Sequence, residues 1–330
     1  SRGYIYIRHE YEEQIALMRS EIERVASMGL CGDHILGSGR SFAVEVFVSP
    51  GGYICGEQTA LVEAIQDHRA EPRNRPPELQ TNGLHDMPTL LNNVETLAWV
   101  PSIVLRDGTW YAQQAARPDS RGARFFSVSG DVMRPGVYEV PVGITFGQLI
   151  DDYCGGMRPG EQLKAAALSG PSGGFVPAKI PLATFPKSTQ DRLPSQDGFV
   201  NLRDLELDVP LFRKWNLMLG GGIVVYGMSA DLVEQAVVCQ EFYRSESCGK
   251  CVPCRIGSTR FAELASAIQA GECTPQTIES LQRPDSVIVE LGTTMRQTAI
   301  CGLGTVAANP LSSLLSYFRD EIQPRLRESS

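Results

Sequence analysis

Three cysteines stand at two-residue intervals in Glu246-Ser247-Cys248-Gly249-Lys250-Cys251-Val252-Pro253-Cys254-Arg255. Thiols at this C-x2-C-x2-C spacing wrap one side of a compact [4Fe–4S] cluster, each holding a different iron. Gly249 lets the backbone approach the inorganic sulfides, Pro253 stiffens the loop, and Lys250 and Arg255 offset thiolate charge. A fourth ligand must come from elsewhere, because Ser258 occupies the next place in the spacing. Cys301, in the glycine-rich turn Ala299-Ile300-Cys301-Gly302-Leu303-Gly304, is the best candidate. Cys273, expected in an exposed turn between helices, and Cys239, on an apolar helix face, are the alternatives. The competing chemistry is a zinc site. Zinc usually takes two separated pairs of ligands, and three evenly spaced thiols leave the middle one awkward for a tetrahedron. Cys31, Cys55, Cys154, Cys239 and Cys273 read as buried or neutral thiols, which pack as small hydrophobes.

The rest of the composition narrows the setting. The 330 residues are enough for two or three domains, and 42% hydrophobic with 21% charged residues is ordinary for a globular chain. A net charge of −8 argues against nucleic acid or an anionic membrane surface as the main partner. No apolar run reaches the roughly 18–20 residues of a membrane span. Nine cysteines, an odd number with three inside seven residues, do not make a secreted disulfide framework; a reducing cytosol fits better. The first residues, Ser1-Arg2-Gly3-Tyr4-Ile5-Tyr6-Ile7, lack the layout of a signal peptide and read as a strand entered midway, so a fragment or processed product is expected.

Around these residues the sequence pattern places an α/β region, a smaller strand-rich region and a helical region. Over 1–115, strands are expected at Tyr4–Arg8 and Phe42–Val48. Helices are expected at Tyr11–Met28, stopped by Gly29, at Glu57–Asp67 and at Asn92–Leu105. A long ordered loop is expected from Glu71 to Pro88. Over 116–215, strands Phe125–Ser129 and Val137–Val140 precede a helix from Phe146 to Tyr153 capped by Thr145, the order of a β-grasp module. The stretch Pro186–Gly198 reads as a surface insertion. Over 216–330, one apolar strand, Ile223–Tyr226, precedes a helix capped by Ser229 or Asp231. Helices at Ser258–Ala270, Pro275–Gln282, Asp285–Met295 and Pro310–Glu321 complete a bundle.

Four motifs, in order along essentially the whole chain, resemble the flavin- and NADH-binding subunit of respiratory complex I. The same subunit type occurs in NAD-linked hydrogenases and formate dehydrogenases. The motifs are Tyr53-Ile54-Cys55-Gly56-Glu57-Gln58-Thr59-Ala60-Leu61, Pro88-Thr89-Leu90-Leu91-Asn92-Asn93-Val94-Glu95-Thr96, the Cys248–Cys254 run, and Ile300-Cys301-Gly302-Leu303-Gly304. The resemblance implies a multidomain α/β fold with a partial Rossmann-like FMN domain, a β-grasp domain and a C-terminal helical bundle with the cluster. It implies FMN, NAD(H) and a [4Fe–4S] cluster as cofactors, with hydride passing from NADH to FMN and electrons then passing singly to iron–sulfur centres. A nicotinamide gives two electrons at once and an iron–sulfur centre takes one; a flavin does both. Carried over by motif, Tyr53, Gly56, Glu57, Asn92, Asn93 and Thr96 line the FMN or nicotinamide pocket; Glu57 and its neighbour Gln58 are expected at the chemistry, and Arg75, outside the motifs, is expected to meet a phosphate. The bland roles for the same residues are strand packing for Tyr53, helix capping for Asn92 and Asn93, and helix N-terminal charge for Glu57.

The sequence departs from the family in three places. The glycine-rich loop that holds the flavin phosphate has no counterpart before Gly51, so about half of the flavin pocket is expected to be missing. Gln58 stands where the family has a second Glu, keeping shape without charge. In Pro72-Arg73-Asn74-Arg75-Pro76-Pro77-Glu78, Arg75 and Glu78 replace a lysine and an aromatic residue. Expected partners are a thioredoxin-like [2Fe–2S] subunit and a larger multi-cluster subunit, with quinone as final acceptor. The expected location is cytoplasmic, peripheral to the inner membrane through a larger complex. A non-enzymatic electron relay and a hydrogenase or formate dehydrogenase diaphorase are the alternatives.

Overall fold

The computed structural model describes residues 2–327, which divide after Leu91 into two compact units. In the first, β1 (Arg2–Arg8) and β2 (Ala43–Ser49) pair in parallel, Arg2 against Ala43 through Arg8 against Ser49. Parallel neighbours need a crossover, and α1 (Glu12–Ser27) makes it. The helix stops where Gly29, at φ +70°, turns left-handed and its N–H reaches the Ala26 carbonyl at 2.9 Å. α2 (Gln58–Ile65) follows a single tight turn at Tyr53–Gly56 and buries Thr59, Ala60, Val62 and Ala64. The long loop after it is ordered, as expected, and Arg73 is the reason. Its guanidinium pairs with Glu63 and donates to the Asn82 and Gly83 carbonyls at 3.0 and 3.2 Å, stitching α2 to the far end of the loop.

The second unit opens with α3 (Val94–Arg106) and the short α4 (Gly108–Ala112). β3 (Ala123–Gly130) and β4 (Gly136–Pro141) form an antiparallel pair. A capping box between Thr145 and Gln148 starts α5 (Phe146–Gln148), which runs on as a wider turn to Tyr153. β5 (Leu163–Pro171), β6 (Val176–Pro177) and β7 (Lys179–Pro181) come next, then α6 (Lys187–Gln190), β8 (Ser195–Gln196), β9 (Phe199–Asn201), α7 (Val209–Lys214) and β10 (Gly222–Gly227). The stretch 186–198 is largely exposed, as expected of an insertion. It also holds α6 and β8, pairs with β9 and is pinned by buried Leu193.

The main sheet has the order β4-β3-β10-β5-β6. β10, read in the sequence as the entry to the helical region, lies at its centre, parallel to β3 and antiparallel to β5. Pairing between such distant segments leaves no local signal. Alternation along β5 and β10 explains how one sheet joins two cores. Ala166, Leu168, Ile223 and Val225 face one apolar core with Phe126, Phe146 and Phe212. Ala165, Ala167 and Tyr226 face the other, which is helical. Successive strand residues point to opposite faces, so both strands are buried on both sides.

The helical core is built by α8 (Leu232–Glu246), α9 (Val252–Gln269), α10 (Pro275–Gln282), α11 (Val287–Thr298), α12 (Gly302–Val306), α13 (Asn309–Tyr317) and α14 (Arg319–Ile322). Asp231, not Ser229, caps α8, accepting from the Val233 and Glu234 amides at 3.0 and 3.1 Å. The helix expected over 310–321 breaks at Phe318, whose φ/ψ of −128°/44° is not helical. Phe261 is fully buried in this core, and burying such a side chain is worth about 1.5–3 kcal/mol.

Candidate functional site

The three-cysteine run is not a free loop. It connects α8 to α9, and α9 begins six residues earlier than the apolar pattern indicates. Cys251 is its N-cap residue, and Pro253 sits in the first turn, where a missing N–H costs nothing and a fixed φ helps. Cys254 is therefore a helical residue. Gly249 takes φ +77°, a left-handed conformation that turns the chain between Cys248 and Cys251. Arg255 donates to the Gly249 carbonyl and so holds the loop from the helix side. Cys301 ends the linker after α11 and is the N-cap residue of α12, a helix where the sequence showed only a turn. The cysteine side chains at both N-caps accept no capping bond. Thiolate charge at the N-terminus of the long α9 is also favoured by the helix dipole.

Cys254 is the centre of the group. Burial pushes its thiol up to about 11, the Ser247 hydroxyl opposes that shift, and Cys251, Cys301 and Cys248 each add to it by charge repulsion. The other three expected ligands are thus within electrostatic reach of Cys254. The Ser247 hydroxyl lies 3.3 Å from the Cys254 sulfur. The donor set suits an iron–sulfur cluster: four thiols and no imidazole. Among the described residues no three His, Cys, Asp or Glu side chains converge as ligands to one metal ion.

Two contributors escape sequence reasoning. Ser247 is visible beside Cys248, but nothing in the pattern gives it a role. Gly304 packs on the ligand itself: a side-chain carbon there would lie 2.9 Å from the Cys254 Cβ and 2.6 Å from the Ala299 Cβ. Cys273, expected in an exposed turn, is only 5% exposed and packs in the helical core. Its turn folds under the C-terminal segment, where the Arg327 amide bonds the Cys273 carbonyl at 3.0 Å.

The thiols outside the group differ in chemistry. Burial raises Cys154 and Cys239 to about 11. Folding therefore holds both protonated above their ordinary value near 9. The stability this gives is intact below pH 9 and lost as pH rises from 9 through 11. At pH 8 alkylation of both in the native protein is expected to be roughly a thousandfold slower than if they were fully ionised, and to speed up about tenfold per pH unit. Mass spectrometry of iodoacetamide-treated protein checks this; labelling at the rate of a free cysteine would contradict it.

In the first unit the structure brings Glu57, Gln58 and Arg75 together. One Glu57 carboxylate oxygen caps α2, accepting from the Thr59 and Ala60 amides at 2.9 Å each. The other oxygen and the Gln58 carbonyl oxygen each accept from the Arg75 guanidinium at 3.3 Å, and Glu78 stands 3.5 Å from its other side. Glu57 is thus a fixed carboxylate, and Glu78 neutralises part of the Arg75 charge. Glu57→Ala is expected to cost about 1 kcal/mol through the lost cap, with Glu57→Asp retaining most of it; urea denaturation reads the difference. Gly56 is exposed, and a side chain added there meets nothing within 4 Å, so packing does not require glycine; close approach of a ligand to the backbone would. The Tyr53 ring is 59% exposed beside it. Asn92, Asn93 and Thr96 are exposed on the second unit, and Asn93 caps α3 through the Glu95 amide at 2.8 Å.

The sequence matches three family models in order. Residues 1–102 match the Nuo51 FMN-binding domain, 125–176 the SLBB domain, and 234–325 the iron-sulfur binding region of NADH-ubiquinone oxidoreductase-F. The chain is 36% identical over 328 residues to the second F-type NADH-quinone oxidoreductase subunit of Rhizobium meliloti, covering 99% of this chain and 70% of that protein. It is 32% identical to the HndC subunit of the NADP-reducing hydrogenase of Solidesulfovibrio fructosivorans, covering 98% of this chain and 60% of that one. An NAD+-reducing [NiFe]-hydrogenase in the H2-reduced state superposes with a TM-score of 0.77 at 30% identity, over all of this chain and 50% of the other. The chain thus spans between half and about two thirds of the length of these proteins. With the FMN-binding match, the SLBB match and a four-cysteine group inside the iron-sulfur match, this chain belongs to the family of F-type NADH-quinone oxidoreductase subunits.

Proposed function

We propose that the protein is an NADH dehydrogenase subunit of the NADH:quinone oxidoreductase type, with FMN, NAD(H) and one [4Fe–4S] cluster as cofactors. What supports this is that Cys248, Cys251 and Cys301 lie within electrostatic reach of buried Cys254 in a chain with an FMN-binding match. Bound FMN supplies the change from two-electron to one-electron transfer, and the cluster supplies a one-electron site. The protein's part is to place them. Cys248, Cys251, Cys254 and Cys301 hold the cluster, Gly249 and Arg255 shape its loop, and Gly304 gives Cys254 room. On the first unit Gly56 admits a ligand to the backbone and Tyr53 offers a ring face. Arg75 meets a phosphate while Glu57 and Gln58 keep it in place. By family motif, Asn92, Asn93 and Thr96 are also proposed as flavin or nicotinamide residues.

This reading divides the chain into a partial Rossmann-like FMN domain (1–115), a β-grasp domain (116–215) and a helical cluster domain (216–330). Partners are a thioredoxin-like [2Fe–2S] subunit and a larger multi-cluster subunit, and the location is cytoplasmic, peripheral to the inner membrane through that complex. No helix among the described residues is long and apolar enough to cross a membrane. A diaphorase subunit of an NAD-linked hydrogenase is the second reading, favoured by the hydrogenase superposition. Anaerobic addition of NADH to the FMN-loaded full-length protein tests the reading: flavin absorbance is expected to bleach, and an unchanged flavin spectrum would refute it.

A further inference from the structure

Few buried polar side-chain atoms among the described residues have no hydrogen-bond partner. Three of them lie in the hairpin that carries the cysteines: both amide atoms of Gln240 and the hydroxyl of Ser258. Gln240 is 0% exposed and Ser258 1% exposed, so water does not satisfy them from the surface. Buried polar groups are nearly always paired, and an exception calls for a cause. Gln240 lies six residues before the end of α8 and Ser258 six residues after the start of α9. At about 1.5 Å per residue, both are set back roughly 9 Å from the cysteine loop along packed helices. Ser258 is one turn beyond Cys254 on the same buried face, a separation of about 5–6 Å between Cβ atoms. The surrounding core is apolar, with Phe261, Ala265, Met295 and Leu311.

Resting on the cluster assignment above, we propose that Gln240 and Ser258 are positioning residues for the cluster: their unpartnered N–H and O–H dipoles favour the reduced state. One-electron reduction of a cluster held by these thiolates would add one negative charge beside buried Cys254. The Ser258 hydroxyl and the Gln240 amide donors have no acceptor among the described residues, so both can turn toward that charge. In a low-dielectric interior such dipoles act strongly because nothing screens them. An apolar pair at these places would remove the orphaned polar atoms and leave the charge less well stabilised.

The test is a mediated redox titration, followed by electron paramagnetic resonance, of the cluster-loaded protein and of Gln240→Leu, Ser258→Ala, Ser258→Thr and the double apolar variant. Iron and acid-labile sulfide are counted first. A parent protein without about four of each refutes the cluster assignment, separately from this inference. With the cluster present, the double variant is expected to show a tenfold smaller reduction constant, a fall of about 59 mV, while its urea midpoint rises. Ser258→Thr, which keeps the hydroxyl, is expected to keep the parental potential. Variants that retain the cluster at the parental potential would overturn the inference. If Gln240→Leu fails to load iron, the comparison of Ser258→Ala with Ser258→Thr decides alone.

Discussion

Cys301→Ala is expected to abolish the four-iron cluster, while Cys273→Ala and Cys239→Ala leave about four irons per chain after anaerobic loading and desalting. The argument is positional. Cys301 is near enough to Cys254 to raise its thiol by charge repulsion, and it stands at the N-cap of α12 with no capping bond. Cys273 and Cys239 make no such contribution to Cys254. Both pack in or against the helical core, so trimming either to alanine removes one small buried sulfur, a loss on the order of 1 kcal/mol. Iron loss in Cys273→Ala with retention in Cys301→Ala would move the fourth ligand and undo the assignment.

Gly304→Val is expected to be nearly as damaging without touching a ligand. Its first side-chain carbon would sit 2.6 Å from the Ala299 Cβ, 2.9 Å from the Cys254 Cβ and 3.3 Å from the Cys254 sulfur. The two carbons are fixed to the backbone and cannot swing away. Overpacking of this kind costs about 1–3 kcal/mol in stability. Here the strain falls on Cys254, so iron retention against a chelator is expected to fall by at least about tenfold, the equivalent of 1.4 kcal/mol. Gly302 is the internal control, because a side chain there meets nothing within 4 Å. Gly302→Ala is expected to keep its iron. Equal retention by Gly304→Val would show that α12 does not brace the ligand.

Local chemistry was the legible part of this fold. The Ile15, Met18, Ile22 and Val25 spacing with Gly29 behind it marks α1 to within a residue, and Thr145 marks the start of α5. The cysteine run declares its own use. What the sequence hides depends on distant pairing or on space. β10 joins β3 across the intervening β-rich stretch, and no pattern in Ile223–Tyr226 says which sheet will take it. Cys273 looks exposed between Gly271 and Thr274 because its cover comes from the chain near Arg327. The start of α9 is hidden because proline and the two flanking cysteines resemble a loop, although proline is at home in a first helical turn. Nothing in the sequence singles out Gln240, which folding buries completely. Glu57 serves as both cap and Arg75 anchor, so its bland and functional roles coexist.

On the function proposed above, Cys248, Cys251, Cys254 and Cys301 hold one iron–sulfur cluster in a chain that also binds FMN. The most direct measurement is the ratio of iron, acid-labile sulfide and FMN in this chain after anaerobic loading, desalting and acid extraction. The predicted result is about four irons and four sulfides per chain. One metal ion per chain with no acid-labile sulfide would contradict the cluster and return the cysteines to a structural zinc site.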